Sequence, residues 1–340
     1  MFSEQQERPG HEAMHTGATA SAARPLRAMV LGASGFIGHH VVQALLADGA
    51  QVLGVRRPHG AAGTAPAPAT LANADHDRLR WRFLPLHTVL EPAAWQAQLE
   101  EVDVVINCVG ILRQRSGESY EQVHHAMPRA LATACAAAGV RLIHTSALGL
   151  HEGAKSRFLS SKLRGEQAIQ ASGADHCIVR PSLIDGLGGF GASWLRMLAG
   201  WPVHFVPRGA TGRIAALQAS DLGQAYAVLA RMPTLSGQRE ANLGGERLFA
   251  YREYLQLLRG VEHTEQPVAP ALQVQLPDWM SRTGAHLCDL FRFSPFSYGH
   301  WILLQRDNMP LPNALPPLLG RAPLPVTHRR VALRDDFRLS

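Results

Sequence analysis

The stretch that decides the fold is Arg27-Ala28-Met29-Val30-Leu31-Gly32-Ala33-Ser34-Gly35-Phe36-Ile37-Gly38. Arg27 to Leu31 reads as a short apolar strand. Beyond the glycines, Phe36, Ile37, Val41, Ala44 and Leu45 share one side of a helix over Gly35 to Ala47, which Gly49 stops. Each glycine meets a physical need of a tight strand-to-helix turn. Gly32 permits the sharp exit from the strand. Gly35 leaves bare backbone where a pyrophosphate can approach, and Gly38 lets the helix pack closely on the strand. The helix start, with Ser34, Phe36 and Ile37 around it, offers unpaired N–H groups and partial positive charge to phosphates.

Downstream the same rhythm repeats. Gln51 to Val55 and Leu79 to Leu86 read as strands, separated by an Ala-, Gly- and Pro-rich loop over His59 to Asp75, and Pro92 to Leu99 reads as a short helix. Val102 to Val109 is a nearly continuous apolar run ending in Gly110, the pattern of a strand buried on both faces. Tyr120 to Ala138 reads as a long helix ending at Gly139, with Pro128 predicting a kink or a later start. A strand over Val140 to Ser146, a helix over Phe158 to Ala171 and a strand over Asp175 to Arg180, halted by Pro181, complete the series. This alternation predicts an α/β fold: a doubly wound parallel sheet of the Rossmann type.

After Ile184 the rhythm loosens. Gly186 to Gly191 reads as a loop, and Ser193 to Leu198, Asp221 to Arg231 and Tyr251 to Leu258 as helices. Prolines recur from Pro267, and Pro310 to Pro325 is read as unable to sustain helix or central strand. The expected organisation is a disordered tail over 1–25, a nucleotide-binding domain over 26–184, and a small irregular C-terminal substrate lobe over 185–340, partly interleaved with the core.

Composition narrows the function. The net charge of +6 comes from dispersed arginines, with only Arg56-Arg57 and Arg329-Arg330 adjacent, so nucleic acid is not an expected partner. No apolar stretch approaches the roughly 18 to 20 residues of a membrane span, so membrane contact is at most peripheral. Met1 to Arg24 has no apolar centre, which reads as a tail, or as sequence upstream of a start at Met14, and not as a secretory signal. Cys108, Cys135, Cys177 and Cys288 are scattered, with no metal-knuckle spacing, the pattern of reduced core thiols in a cytoplasmic protein.

The second strand ends Val55-Arg56-Arg57-Pro58, and no acid lies between Gln51 and Thr70. An NAD site usually places Asp or Glu there to accept from the ribose hydroxyls. Arg56 instead offers a guanidinium fork suited to a 2′-phosphate, which favours NADP(H) over NAD(H), unless Arg56 is simply a solvated loop arginine.

Several further segments carry a family resemblance: Asp103-Val104-Val105-Ile106-Asn107-Cys108-Val109-Gly110-Ile111-Leu112, Val123-His124, Ala138-Gly139-Val140, His144-Thr145-Ser146-Ala147-Leu148-Gly149, Ser161-Lys162 with Gly165-Glu166, and Val179-Arg180-Pro181-Ser182. With Leu304-Gln305-Arg306-Asp307-Asn308, they make the chain resemble the atypical and extended (epimerase-like) short-chain dehydrogenase/reductases. The resemblance is strongest to the group containing the nucleotide-binding accessory subunit of respiratory complex I and its bacterial relatives. It implies that Asn107, Val109, Gly110, Lys162 and Pro181 join the glycine turn and Arg56 around the cofactor. It also implies a catalytic Ser, Tyr and Lys, with Tyr and Lys four apart on one helix face. Ser146 fills the serine slot and Lys162 the lysine slot, but the tyrosine slot holds Phe158, which has no exchangeable proton. Lys162 is one of two lysines, with Lys155, in a chain that otherwise uses arginine.

Two functions follow from that departure. One is an oxidoreductase passing hydride to a small or lipophilic carbonyl or quinone, with Tyr120 as the nearby source of a hydroxyl. The other is an inactive NADP(H)-binding structural or regulatory subunit with a partner protein. Leu86-His87 stands where relatives often carry an adenine-contacting Asp. His11-Glu12-Ala13-Met14-His15 matches a zinc-protease pattern but has no helix-forming face, so it reads as chance, and no metal is expected. His124-His125 reads equally as nucleotide contact or helix-face histidines. Trp279 to Phe296 reads as lobe packing more readily than as a membrane or lipid contact.

Overall fold

The structure, a computed structural model, describes residues 24–58, 77–115, 117–153, 156–186, 188–262, 269–291 and 298–326. The expected tail, the His11–His15 motif and the loop read over His59 to Asp75 lie outside the described residues.

Strand β1 (Arg27–Leu31) leads through the glycine turn into α1 (Phe36–Ala47), followed by β2 (Gln51–Arg56), β3 (Leu79–Phe83) and α2 (Ala93–Leu99). Then come β4 (Val104–Asn107), α3 (Met127–Ala138), β5 (Arg141–Thr145), α4 (Arg157–Ala171) and β6 (His176–Pro181). These six strands and a later one, β11 (Glu240–Leu243), form one sheet in the order β11-β6-β5-β4-β1-β2-β3. Every pairing is parallel, with Val30 beside Gly54 on one side and Ile106 on the other. The order reverses between β1 and β4, so the crevice at their C-terminal ends is where such sheets bind ligands.

Both faces of the sheet are covered, which is why β4 is buried along its whole length and β1 nearly so. On one face α1 packs with α6 (Ala219–Arg231), burying Val41, Leu45, Leu222, Tyr226 and Leu229. On the other, α2 and α3 bury Trp95, Leu99, Met127 and Leu131 against Met29, Val105 and Leu142.

Pro128 shapes the approach to α3. It has no N–H to donate to the His124 carbonyl four residues earlier, and a wide turn over Gln122–Ala126 replaces regular helix there. The freed carbonyl faces Gly165 of α4, where an added Cβ would lie 3.1 Å from the His124 carbonyl carbon. Glycine is therefore needed at 165 for the two helices to approach.

The rest of the chain builds a lobe of short elements. β7 (Ile184–Asp185) pairs with β10 (Leu217–Gln218), β9 (Arg213–Ile214) with β12 (Phe249–Ala250), and β8 (Val203–Pro207) with β13 (Leu272–Leu276). α5 (Phe190–Gly200) lies against α7 (Tyr251–Glu262), and α8 (Asp278–Phe291) against α9 (Tyr298–Leu304). The proline-rich end departs from expectation. It contains a short helix, α10 (Leu315–Leu319), with prolines in its first turn, where a helix needs no N–H donors. Gly320 stops it, and Arg321 pairs with the fully buried Asp221 of α6.

Candidate cofactor and active site

The glycine turn has the geometry its sequence implies. Gly32 adopts φ +74°, a conformation costly for any residue with a Cβ. Its N–H and that of Ala33 both donate to the Val55 carbonyl, tying the turn to β2. Gly35 N–H donates back to the Gly32 carbonyl at 2.9 Å. A Cβ on Gly38 would overlap the Gly32 carbonyl, 2.8 Å from its carbon and 2.9 Å from the Ala33 Cα. The first intrahelical bond runs from His39 N–H to the Gly35 carbonyl, so by helix geometry the N–H groups of Phe36, Ile37 and Gly38 face an incoming anion. The glycine-rich loop after β7 packs onto this turn. A Cβ on Gly189 would lie 2.8 Å from the Phe36 ring, and one on Gly186 3.1 Å from it.

Arg56 is the last residue of β2 and is buried, so it is not a solvated loop arginine. Its guanidinium carbon lies 4.8 Å from the Trp81 ring centre and 4.7 Å from the Phe83 ring centre, a cation seated over two aromatic rings. Arg57 is exposed and reaches Glu118 at 3.1 Å, linking the end of β2 to the segment after β4. Leu86-His87 lies in a single 3-10 turn over Leu86–Thr88 beyond β3.

At the end of β4, Asn107 is fully buried. Its Oδ1 accepts from Val109 N–H at 3.0 Å, and its Nδ2 lies 3.1 Å from Nδ1 of His144 on β5. With Oδ1 taken by an N–H, the amide donates to His144, which places that ring's proton on Nε2. Burial, and then the Lys162 charge, push His144 down to about 3, so it is neutral at physiological pH.

A second buried histidine joins three segments. His124 Nε2 accepts from Ile111 N–H at 3.2 Å, so Nδ1 carries the proton and donates to Ser161 Oγ at 3.0 Å. The Ser161 hydroxyl donates in turn to the Phe158 carbonyl at 2.9 Å. Burial holds His124 well below its usual range, with Lys162 and His144 adding to the effect. His124 thus pins the segment after Gly110 to α4.

The expected catalytic residues lie on α4 and at the end of β5. Phe158 is buried, edge-on to Tyr120 at 5.7 Å and to His124 at 5.5 Å. One turn on, Lys162 Nζ sits 5.9 Å from the Phe158 ring centre and 3.8 Å from where a Cβ on Gly110 would stand. Withdrawal from water lowers its ammonium to about 8, opposed by Glu166. Ser146 N–H donates to the Val179 carbonyl, while its buried Oγ has no hydrogen-bond partner among the described residues. Pro181 ends β6, its carbonyl accepting from Leu148 N–H at 3.2 Å. The Tyr120 hydroxyl donates to the Leu112 carbonyl at 2.9 Å, so its proton is turned to backbone. Leu112, Tyr120, Leu150, Ile302 and Leu303 pack with Phe158 and Leu159 into an apolar cluster beside Lys162.

The sheet therefore brings the expected residues to one edge: the glycine turn after β1, Arg56 on β2, Asn107, Val109 and Gly110 at β4, Ser146 after β5 and Pro181 on β6. The sequence reading missed the roles of His144, Ser161 and the Arg180 clamp. Arg180 binds Glu166 of α4 through Nε and Nη2, and Glu240 of β11 through Nη1. Their signal was present: polar residues inside otherwise apolar strands or on an inward helix face, which stay only when paired.

Residues 32–186 match the family described as NAD(P)H-binding. Over those residues the chain is similar to the NAD(P)H-binding proteins of the atypical short-chain dehydrogenase/reductase and epimerase type. It is 29% identical over 264 residues to "Ceramide reductase" of Caulobacter vibrioides, covering 76% of each chain. It is 33% identical over 168 residues to the mitochondrial "NADH dehydrogenase [ubiquinone] 1 alpha subcomplex subunit 9" of Mus musculus, which is 47% of this chain but only 41% of that one. The fold is similar to that of UDP-glucuronic acid 4-epimerase from Bacillus cereus, solved with UDP-glucuronic acid and NAD, at TM-score 0.60, 18% identity, and coverage of 89% and 96%. The glycine cradle that a Cβ would fill, and the donor groups around it, fit the nucleotide that this family binds. No described helix is long and apolar enough to cross a membrane, and no metal-binding cluster occurs among the described residues.

Proposed function

We propose that this protein is an NADP(H)-dependent oxidoreductase acting on a lipophilic carbonyl or quinone. The observation that carries the reading is the Lys162 ammonium, held against Gly110 and one turn from Phe158, beside an apolar cluster. The resemblance to a ceramide reductase over three-quarters of both chains supports reduction as the reaction class. Arg56 at the end of β2, with no acid after it before Thr70, supports NADP(H) over NAD(H).

A bound reduced nicotinamide supplies hydride. Around it, Lys162 offers three rotatable N–H donors to ribose hydroxyls, and Ser146 offers its hydroxyl to the oxygen that gains negative charge. The apolar residues beside Phe158 exclude water and receive the hydrocarbon part of the substrate. Phe158 cannot donate a proton, so the substrates that suit this site take theirs from solvent after hydride transfer, as a quinone can.

A second reading is favoured by Phe158 together with Tyr120, whose hydroxyl is directed at Leu112 rather than at the site. On that reading the protein holds nucleotide without turnover, as a subunit bound to a partner. Mass spectrometry of the co-purifying nucleotide, followed by NADPH oxidation with long-chain ketones and quinones, separates the two. Bound nucleotide with no oxidation in any pairing would favour the subunit.

A further inference from the structure

The C-terminal lobe carries an apolar face that no element among the described residues covers. β8 and β13 run side by side, with Val203 beside Leu272, Phe205 beside Val274 and Pro207 beside Leu276. Alternation sends His204 and Val206 inward, where both are buried. It turns Val203 and Phe205 outward, together with Trp201, whose backbone is already extended. Phe205 is 53% exposed, Leu272 66% and Trp201 48%.

α8 follows β13 directly and repeats the anomaly. Ser281 and Ala285 are buried, while Trp279 is 70% exposed, Met280 42% and Leu287 46%. Met280 and Leu287 are seven residues apart and share one side of the helix. The outer side of this helix therefore carries three large apolar side chains among Arg282, Thr283 and His286, more than a surface helix in water usually exposes.

We propose that this face seats the protein on an anionic lipid bilayer. Charge selects that occupant. Arg208, directly after β8, and Arg282, on the exposed side of α8 with Trp279, are exposed, and neither forms an ion pair among the described residues. The neighbouring acid, Asp278, is held by the N–H of Gly209 at 2.7 Å, and the whole chain carries +6. Two tryptophans, a phenylalanine and aliphatic side chains with two exposed arginines on the same elements match the interfacial region of a bilayer. There rings sink about 5–10 Å and guanidinium groups meet phosphate headgroups. A bilayer needs no shape complementarity, only apolar bulk and nearby cations. The inference does not depend on which substrate is reduced, or on whether any is.

The test is co-sedimentation of the full chain with vesicles of phosphatidylcholine alone and of an equimolar mixture with phosphatidylglycerol. The expected result is binding to the anionic vesicles and little to the neutral ones. A variant carrying Phe205→Ser, Leu272→Ser and Trp279→Ser loses binding by roughly tenfold or more, with its thermal transition and nucleotide binding retained. A second variant, Arg208→Glu with Arg282→Glu, leaves every apolar residue in place and should independently lose the anionic preference. Equal binding by the wild type and both variants, or no binding by the wild type, overturns the proposal. So does a wild-type dimer in analytical ultracentrifugation that the triple variant converts to monomer, since the face would then be an interface between copies of the chain.

Discussion

Lys162 and Phe158 stand one turn apart on α4, with the ammonium nitrogen 5.9 Å from the ring centre. The family resemblance implies a phenol where this chain places a phenyl ring, so on that reading the cation remains while its proton-donating neighbour is gone. Phe158→Tyr should restore that donor. The expected outcome is a gain in aldehyde or ketone reduction of roughly 10² to 10⁴, the usual size of general acid catalysis. Steady-state NADPH oxidation with a panel of carbonyls measures it. If wild-type turnover is already fast and the variant slows it, Phe158 shapes a working pocket and the vacated-donor idea is wrong.

Lys162 also sets a pH dependence. Its folded pKa, about 8, lies below the 10.5 of a free lysine. Between those values the unfolded chain binds more protons than the folded one, so ligand-free stability from this group rises with pH across that window. Nucleotide binding should move the opposite way, because the ammonium is the form that donates to ribose. Affinity should weaken as pH rises through about 8, and Lys162→Met should flatten the profile. Calorimetric titration across that range checks it; the same slope in both proteins removes Lys162 from the ribose site.

Arg56 should decide between the two nicotinamide nucleotides. Arg56→Ala should weaken NADP(H) by roughly 1.5 to 3 kcal/mol, the size of a charge-assisted hydrogen bond, and leave NAD(H) nearly unchanged. Because the guanidinium also packs on Trp81 and Phe83, Arg56→Lys is the companion variant. It keeps charge but loses the planar fork. Equal wild-type affinity for the two nucleotides would refute the assignment.

Gly38→Ala should damage the nucleotide site and the fold together. The new methyl would sit 2.9 Å from the Ala33 Cα and overlap the Gly32 carbonyl, both backbone groups that cannot rotate aside. The expected loss is about 1 to 3 kcal/mol of stability, read as a lower thermal midpoint, together with weaker nucleotide binding. A variant with wild-type stability and binding would show that α1 can move away from β1.

His144 should make the protein sensitive to mild acid. Its folded pKa of about 3 lies well below the 6.5 of a free imidazole, so the unfolded chain takes up a proton first. Stability from this group is complete above about pH 6.5 and falls as pH drops toward 3. His144→Gln keeps an acceptor for Asn107 and should reduce that slope in denaturant titrations at successive pH values. An unchanged slope would assign acid sensitivity to other groups, of which His124 is the first candidate.

The sequence by itself determined the nucleotide-binding half. Strand periodicity, three glycines at fixed spacing and stop residues such as Gly139 are local signals, and they fixed β1, α1 and the parallel alternation through Pro181. The site residues at strand ends, Asn107, Ser146 and Pro181, were legible only through the family resemblance, and the parallel sheet then delivers every strand's C-terminal end to one edge. Phe158 was legible as a substitution because Lys162 marks the slot four residues away.

Tertiary structure decided what depends on partners far along the chain. The buried state of Arg56 is set by Trp81 and Phe83 on β3, and the Tyr120 hydroxyl is spent on Leu112. The histidine tautomers follow from what Asn107, Ile111 and Ser161 offer in space. Pro128 announced a break but not its consequence, since the wide turn and the carbonyl it frees matter only because Gly165 arrives from α4. The short helix at Leu315–Leu319 escaped local reasoning because prolines in a first turn look like breakers until α6 supplies a surface for Leu315. In the C-terminal lobe, strands of two to five residues carry too little period for pattern to fix them, so packing between distant segments, not local propensity, sets their register.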